Sequence, residues 1–391
     1  MPVTLTDVAK AAGVSIATAS RVLADSDHPV TEETRQLVLK TAKRLGYRPN
    51  LIARSLRTDQ TLTIGLIVEN ILSPFIPPIV RSIQERLEAD GYFSIIINAG
   101  WDPQVEAEAI HTLSKRQIDG IIFVESCIRS SDQVFGLADK PHVFVHRLFN
   151  SLSINSVVPD DYYGARLATK HLAELEHRRI AFINGPEGWD ATINRMAGYQ
   201  EELAARGIFD PALVERGDWE TQSGYLATKR LMAMQDPPTA IFAGNDLMAL
   251  GAIYAIQETG LRVPGDIAVV GYDDRDFSGF VRPAITTIRM PCEEMGRASA
   301  AALLRLIDGE TEAIEPTLIQ GELVVRQSCG ARGEEGWKFE PERGSLPRRR
   351  ARRIYNELHS GQARLHAGSP AAWESPQLLS GRARPKKGGD R

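Results

Sequence analysis

Asn245 and Asp246 follow the apolar run Ala240–Ala243, and Asp273 follows Ile267–Tyr272. Arg195 opens a helical pattern just beyond Ile180–Gly185, and Trp219 ends a loop. Amide, carboxylate and guanidinium groups supply paired donors and acceptors for hydroxyls, while an indole face stacks on C–H groups, so the set suits a polyol such as a sugar. Each residue also has a plainer use: Asp246 as a helix N-cap, Trp219 as core, Arg195 or Asp273 in a structural ion pair. The adjacent acids Asp160-Asp161 and Asp273-Asp274 could by type serve as general acid and base, but a cap or a ligand hydrogen bond is the simpler use. No G-x-S-x-G, P-loop, H-E-x-x-H or G-x-G-x-x-G is present, and His171 and His177 lack helical metal-ligand spacing. The reading is of a protein that is not an enzyme, with neither a cofactor nor a metal site.

A second constellation lies near the N-terminus. Val8, Ala9 and Ala12 fall at helical spacing behind a Thr6 cap, Gly13 breaks the helix, and Ser15 can cap another, Ser15–Leu23. That helix turns Ala19, Val22 and Leu23 inward and leaves Ile16, Ala17, Thr18 and Arg21 on other faces. A third pattern starts at Thr31, with Leu37, Val38, Thr41, Ala42 and Leu45 as its apolar stripe and Gly46 as its stop. Helix, tight turn, helix is the form of a DNA-binding unit, although any short three-helix domain shares the periodicity. Asn50 can then cap Leu51–Arg57, a segment too short to hold a helix alone in water.

These constellations need a scaffold. From Thr63, apolar runs alternate with helical patterns: Thr63–Val68, Phe75–Asp90, Phe93–Ile97, Val105–Arg116, Gly120–Val124. A second series runs from Val157 through Tyr162–Leu175, Ile180–Asn184, Arg195–Arg206, Ser223–Met234, Ala240–Ala243, Leu247–Thr259 and Ile267–Tyr272. Short, fully apolar strands alternating with helices predict an α/β body of two doubly wound parallel-sheet subdomains, with strand ends facing a shared cleft.

The 391 residues suffice for two or three domains. Three separated cysteines make no disulfide framework, no apolar stretch is long enough to span a membrane, and the N-terminus lacks a basic-then-apolar signal region. A cytoplasmic protein without a membrane partner is expected. The net charge of −4 hides a division: +4 over residues 1–58, −15 over 59–330 and +7 over 331–391. A basic head on an acidic body directs a polyanion to the head alone. Gly, Pro, Ser and Arg dominate 331–391, which predicts disorder.

Read in order, TLTDVAKAAGVS, TASRVL, TEETR, LGYRPN, ARSL, TIGLIV, NDLMALGA, DIAVVGYDD and TTIR identify a chain that resembles the lactose-repressor/galactose-repressor family of bacterial transcription factors, from about residue 4 to about 330. The resemblance implies a helix-turn-helix head (1–49), a hinge helix and linker (50–60), and a periplasmic-binding-protein-like body (61–330) that binds an effector and dimerises. Its subdomains would be 61–160 plus 291–322, and 161–290 plus 323–330. It places Ser15–Leu23 in the major groove, with Ile16 and Ala17 at variable base-reading positions and Arg21 on a base edge. Leu56 matches a leucine that wedges into the central minor-groove step, flanked by Arg54 and Arg57 on phosphates. Arg195, Asn245 and Asp273 match effector contacts, Trp219 a stacking position and Phe75 a cleft wall. His146 stands where many members have Asp, before an Arg matched by Arg147; it is either a donor to an anionic ligand or a satisfied core histidine. Glu176 replaces a usual glycine, read as a helix end built differently.

The resulting expectation is a homodimer, since no leucine heptad suited to tetramers is present. It binds pseudo-palindromic double-stranded operator DNA and represses carbohydrate-use genes until a small sugar-like effector releases it. The alternatives are a corepressor-dependent regulator sensing a purine or sugar phosphate, and a solute-binding protein, which would share the body but not the head.

Overall fold

The computed structural model describes residues 3–23, 29–47, 60–100, 102–130, 140–148, 154–310 and 316–331. The hinge residues Asn50, Arg54, Leu56 and Arg57 and all but the first residue of the 331–391 tail lie outside the described residues.

Three helices form the head: α1 (Leu5–Ala12), α2 (Ile16–Leu23) and α3 (Glu32–Leu45). The first cap is Thr4, not Thr6. Thr4 Oγ1 accepts from Asp7 N at 3.3 Å while Thr4 N donates to the Asp7 carboxylate at 2.9 Å, a reciprocal capping box that Thr6, inside the helix, cannot make. Gly13 and Gly46 close α1 and α3 at φ +65° and +66°, where a Cβ would be strained. Val8, Ala9, Ala12, Ala19, Val22, Val38 and Ala42 are buried together. Leu37, assigned to the α3 stripe, is 49% exposed; Val38, Thr41 and Ala42 already fill the face toward α1 and α2.

The body begins with β1 (Thr63–Val68), α4 (Ile76–Ala89), β2 (Phe93–Asn98), α5 (Pro103–Lys115), β3 (Gly120–Ser130), β4 (His142–Leu148) and β5 (Ser156–Pro159). It continues with α6 (Asp161–Glu174), β6 (Ile180–Asn184), α7 (Asp190–Ala205), β7 (Val214–Arg216), α8 (Thr221–Met232), β8 (Ala240–Ala243), α9 (Asp246–Glu258) and β9 (Ala268–Asp273). β10 (Thr286–Arg289), α10 (Cys292–Ile307), β11 (Thr317–Ile319) and β12 (Glu322–Val324) complete it. One sheet has the order β11-β5-β4-β3-β1-β2, the other β12-β10-β9-β8-β6-β7. All pairings are parallel except β10 with β12, which is antiparallel.

The strands are apolar because helices cover both faces. Ile64, Leu66 and Val68 pack with Ile79, Ile83 and Leu87 of α4 and with Met295 and Leu303 of α10. The other face of that sheet packs on Ile110 and Leu113 of α5. In the second sheet Ile241 and Val269 meet α8 and α9, while Phe182, Phe242 and Val270 meet α6 and α7. Helices α4 and α10 cross so closely that a Cβ on Gly296 would lie 2.0 Å from Ser82 Oγ and 2.5 Å from the Ile79 carbonyl. The chain passes between sheets three times: after Pro159, after Arg289, and between Ile319 and Glu322.

Glu176 ends α6 as a glycine would, at φ +67°, with His177 N donating to Leu172 O and Glu176 N to Ala173 O. The helix end is therefore of the ordinary left-handed form, with Glu bearing the strain. Among the described residues no helix is long and apolar enough to cross a membrane.

Candidate functional site

Strand ends and helix starts from both sheets enclose a cavity of about 350 Å³. Phe75, Ser126, Cys127 and His146 line it from the first sheet's side. Asp161, Trp189, Arg195, Trp219, Asn245, Asp273 and Arg275 line it from the second. Six of the seven residues expected at an effector site thus meet here: Phe75, His146, Arg195, Trp219, Asn245 and Asp273.

Arg195 lies in the second turn of α7, which begins five residues earlier than the sequence pattern suggested. Its Nη2 and Nε reach Asp161 Oδ1 at 2.8 and 2.9 Å, and Nη1 donates to the Gly244 carbonyl. The guanidinium lies 3.7 Å from the Tyr272 ring centroid and 5.4 Å from that of Trp219. The ion pair considered for Arg195 is real, and it forms part of the cavity wall, so a structural and a binding role coincide.

Asn245, not Asp246, is the N-cap of α9: its Oδ1 accepts from Met248 N, and its Nδ2 donates to the Trp219 carbonyl, both at 2.9 Å. Trp219 is thereby tied to the start of α9 with φ +71°. Its ring lies against Gly185, where a Cβ would come within 2.0 Å of the indole. Trp189, just ahead of α7, meets Trp219 edge-on with centroids 6.2 Å apart. The indole Nε1 of Trp219 is buried and has no hydrogen-bond partner among the described residues. Asp246, one residue into α9, is fully buried and accepts from Ser278 Oγ (2.6 Å), Thr287 Oγ1 (2.6 Å) and Arg275 N (2.9 Å). Burial pushes its pKa up to about 6, against the pull of these donors. Asp246 therefore braces the loop after Asp273 from beneath and does not line the cavity.

Asp273 closes β9 at φ +112°. Burial pushes its carboxyl up to about 8, with Arg195 opposing and Asp246 adding to the rise. No hydrogen bond joins that carboxyl to any described residue, so it faces the cavity with its capacity unspent. His146, 1% exposed, adopts φ +65°, and its Nδ1 lies 2.8 Å from the Glu125 carbonyl. Of the seven non-glycine residues with positive φ among the described residues, three (His146, Trp219 and Asp273) line this one cavity. Such backbone cost is retained where the surroundings over-determine it, as at binding sites.

Arg147 is the exception. It does not line the cavity: its Nε donates to Glu125 at 2.6 Å and its terminal nitrogens to Glu106 at 3.2 and 3.0 Å. Successive strand residues point to opposite faces, so His146 and Arg147 cannot both look into the cleft. Asp161, Trp189, Cys127 and Arg275 were not singled out as ligand residues. Asp161 shows in the sequence only as half of an acidic pair, and Trp189 precedes the regular apolar spacing that marks α7. The Arg275 guanidinium lies 5.7 Å from the Phe75 ring centroid, joining the two sides of the cleft.

On the head, Ser15, Ile16, Ala17 and Arg21 are exposed and Thr18 half-buried. Ser15 Oγ accepts from Thr18 N at 3.0 Å and bonds Thr18 Oγ1 at 2.8 Å, so it caps α2. Ile16, 50% exposed, offers an apolar contact at the helix start.

Residues 4–50 match the family model "Bacterial regulatory proteins, lacI family", and residues 169–329 match "Periplasmic binding protein-like domain". The HTH-type transcriptional repressor PurR of Haemophilus influenzae (strain PittEE) is 35% identical over 333 residues, 83% of this chain and 98% of that protein. The crystal structure of the lac repressor dimer bound to operator and the anti-inducer ONPF has a TM-score of 0.69 and 33% identity, covering 84% of this chain and 99% of its own. The transcriptional regulator CelR–cellobiose complex has a TM-score of 0.58 and 33% identity, covering 83% and 99%.

Proposed function

Because the chain belongs to the lacI family of bacterial regulatory proteins and is a DNA-binding transcriptional repressor, we propose that the cleft takes a small, neutral, sugar-like effector whose binding releases the operator. The observation that carries this reading is the cavity itself. Two tryptophans and Phe75 offer faces for C–H groups, and the Asp161–Arg195 pair and the unspent Asp273 carboxyl offer partners for hydroxyls. A relative of known structure, the transcriptional regulator CelR, is seen in complex with the sugar cellobiose. The protein acts by binding, not catalysis, in the cytoplasm, with no cofactor or metal.

As a homodimer it would set two heads on half-sites of a pseudo-palindrome. Ser15–Leu23 would lie in the major groove, with Ile16 and Ala17 against apolar groups such as a thymine methyl. Arg21 on a guanine edge would be worth about 1–3 kcal/mol of discrimination. Asn50, Arg54, Leu56 and Arg57 would form the hinge contacts, Leu56 as the minor-groove wedge. To empty the operator, the effector must favour the low-affinity state by several kcal/mol.

The test is fluorescence anisotropy with a duplex selected by the protein from a random pool, titrated with galactose, ribose, lactose and cellobiose. Release by one of these supports the reading. A change in DNA affinity produced only by a purine base or a sugar phosphate would overturn it, and tightening by a sugar would reverse the sign of regulation.

A further inference from the structure

His146 is the cavity residue whose chemistry the structure specifies most fully. A carbonyl oxygen cannot donate, so the 2.8 Å contact to Glu125 O requires a proton on Nδ1. Among the described residues no hydrogen bond reaches the other ring nitrogen, Nε2, and His146 lines the cavity. Burial holds the imidazole's pKa below its ordinary value, reinforced by the Arg195 charge, while the Glu125 carbonyl and Asp161 pull the other way. The ring is therefore neutral near pH 7, and Nε2 presents a bare lone pair.

That arrangement points away from both roles His146 has from its sequence. It is not a donor to an anion, because an anionic oxygen would meet a lone pair. It is not a satisfied core residue either, because Nε2 is unspent. As a neutral acceptor His146 adds no third carboxylate beside Asp161 and Asp273 in a low-dielectric cleft.

We propose that His146 is a specificity-determining residue that accepts, through Nε2, a hydrogen bond from one hydroxyl of a neutral ligand and rejects ligands that place an anionic or ether oxygen there. The proposal rests on the reading of the cleft as a sugar-type effector site, and it adds which ligand atom the site inspects. A site that pairs with a hydroxyl discriminates strongly against its absence, since the protein acceptor is then left buried and unmet.

Two experiments on the full chain test it. In histidine-labelled protein at pH 7.5, ¹⁵N correlation spectra, assigned with His146→Asn, are expected to show His146 with protonated Nδ1 and unprotonated Nε2. A proton on Nε2 would overturn the proposal whatever the ligand proves to be. Calorimetric titration then compares the tightest-binding of galactose, ribose, lactose and cellobiose with its monodeoxy analogues. One deoxy analogue is expected to bind at least tenfold more weakly to the unmodified protein, and the gap to shrink below twofold in His146→Leu. His146→Asn tolerates positive φ and keeps an acceptor, so it is expected to retain part of the discrimination and to guard against a folding defect in the leucine variant. If no deoxy position couples to residue 146, the proposal fails even where the sugar binds. If only purine bases bind, the sugar reading fails, and the tautomer is still read separately.

Discussion

Replacing Asp161 by Ala leaves Arg195 charged and enclosed without its carboxylate. The two side chains are 1% and 5% exposed, so the pair is largely withdrawn from solvent. Deleting one member of a buried pair costs about 3–5 kcal/mol, because the survivor keeps its desolvation penalty. Arg195 retains the Gly244 carbonyl and the Tyr272 ring, 3.7 Å from its centroid, which sets the expectation at the lower end, about 3 kcal/mol. At roughly 2 °C per kcal/mol for a body of this size, Tm falls by about 6 °C. The assay is calorimetric melting of Asp161→Ala, Arg195→Leu and the double variant. The double variant is expected to recover part of the loss, since it buries no unpaired charge. A loss below about 1 kcal/mol for Asp161→Ala, the range of an exposed pair, or a double variant no better than the single, would refute the reasoning.

Other outcomes follow from the same geometry. Asp273, raised from an ordinary 3.8 to about 8, binds more protons folded than unfolded between those values, so stability falls as pH rises through that window. Melting from pH 5 to 9 should show the decline, and Asp273→Asn should flatten it; an unchanged slope would contradict the assignment. Arg147→Met, which strands Glu125 and Glu106 outside the cavity, should lower Tm while leaving sugar affinity within twofold by calorimetry. Glu176→Gly removes left-handed strain at a helix end and should raise stability by about 0.5 kcal/mol, measured by urea unfolding.

Much of this molecule was legible from pattern and spacing, and the failures have physical causes. Continuous apolar runs located most of the strands, and period-3.6 spacing most of the helices, because both faces of each sheet are buried. β7, β11 and β12 escaped because three residues carry no period, and α10, which follows the last long run, was not read as part of the series. The first turn of α7, Asp-Ala-Thr-Ile-Asn, is poor in strong helix formers and forms through its packing. The cap belongs to Asn245 rather than Asp246 because either residue type caps a helix, and only the three donors around Asp246 show that its carboxylate is buried and spent. The family resemblance places Arg147 among the effector contacts, yet its guanidinium turns to Glu125 and Glu106 instead. What no pattern could give is the tautomer of His146, which depends on a carbonyl 21 residues away in sequence.

The most direct measurement is a thermal-shift screen of the full chain and of Asp273→Ala against neutral sugars, sugar phosphates, nucleosides and purine bases. A ligand at about 100 times its Kd adds roughly 2.7 kcal/mol. The account predicts that a neutral sugar raises Tm and that Asp273→Ala abolishes the rise. Stabilisation by a purine base or a sugar phosphate alone, or a sugar effect that survives Asp273→Ala, would contradict it.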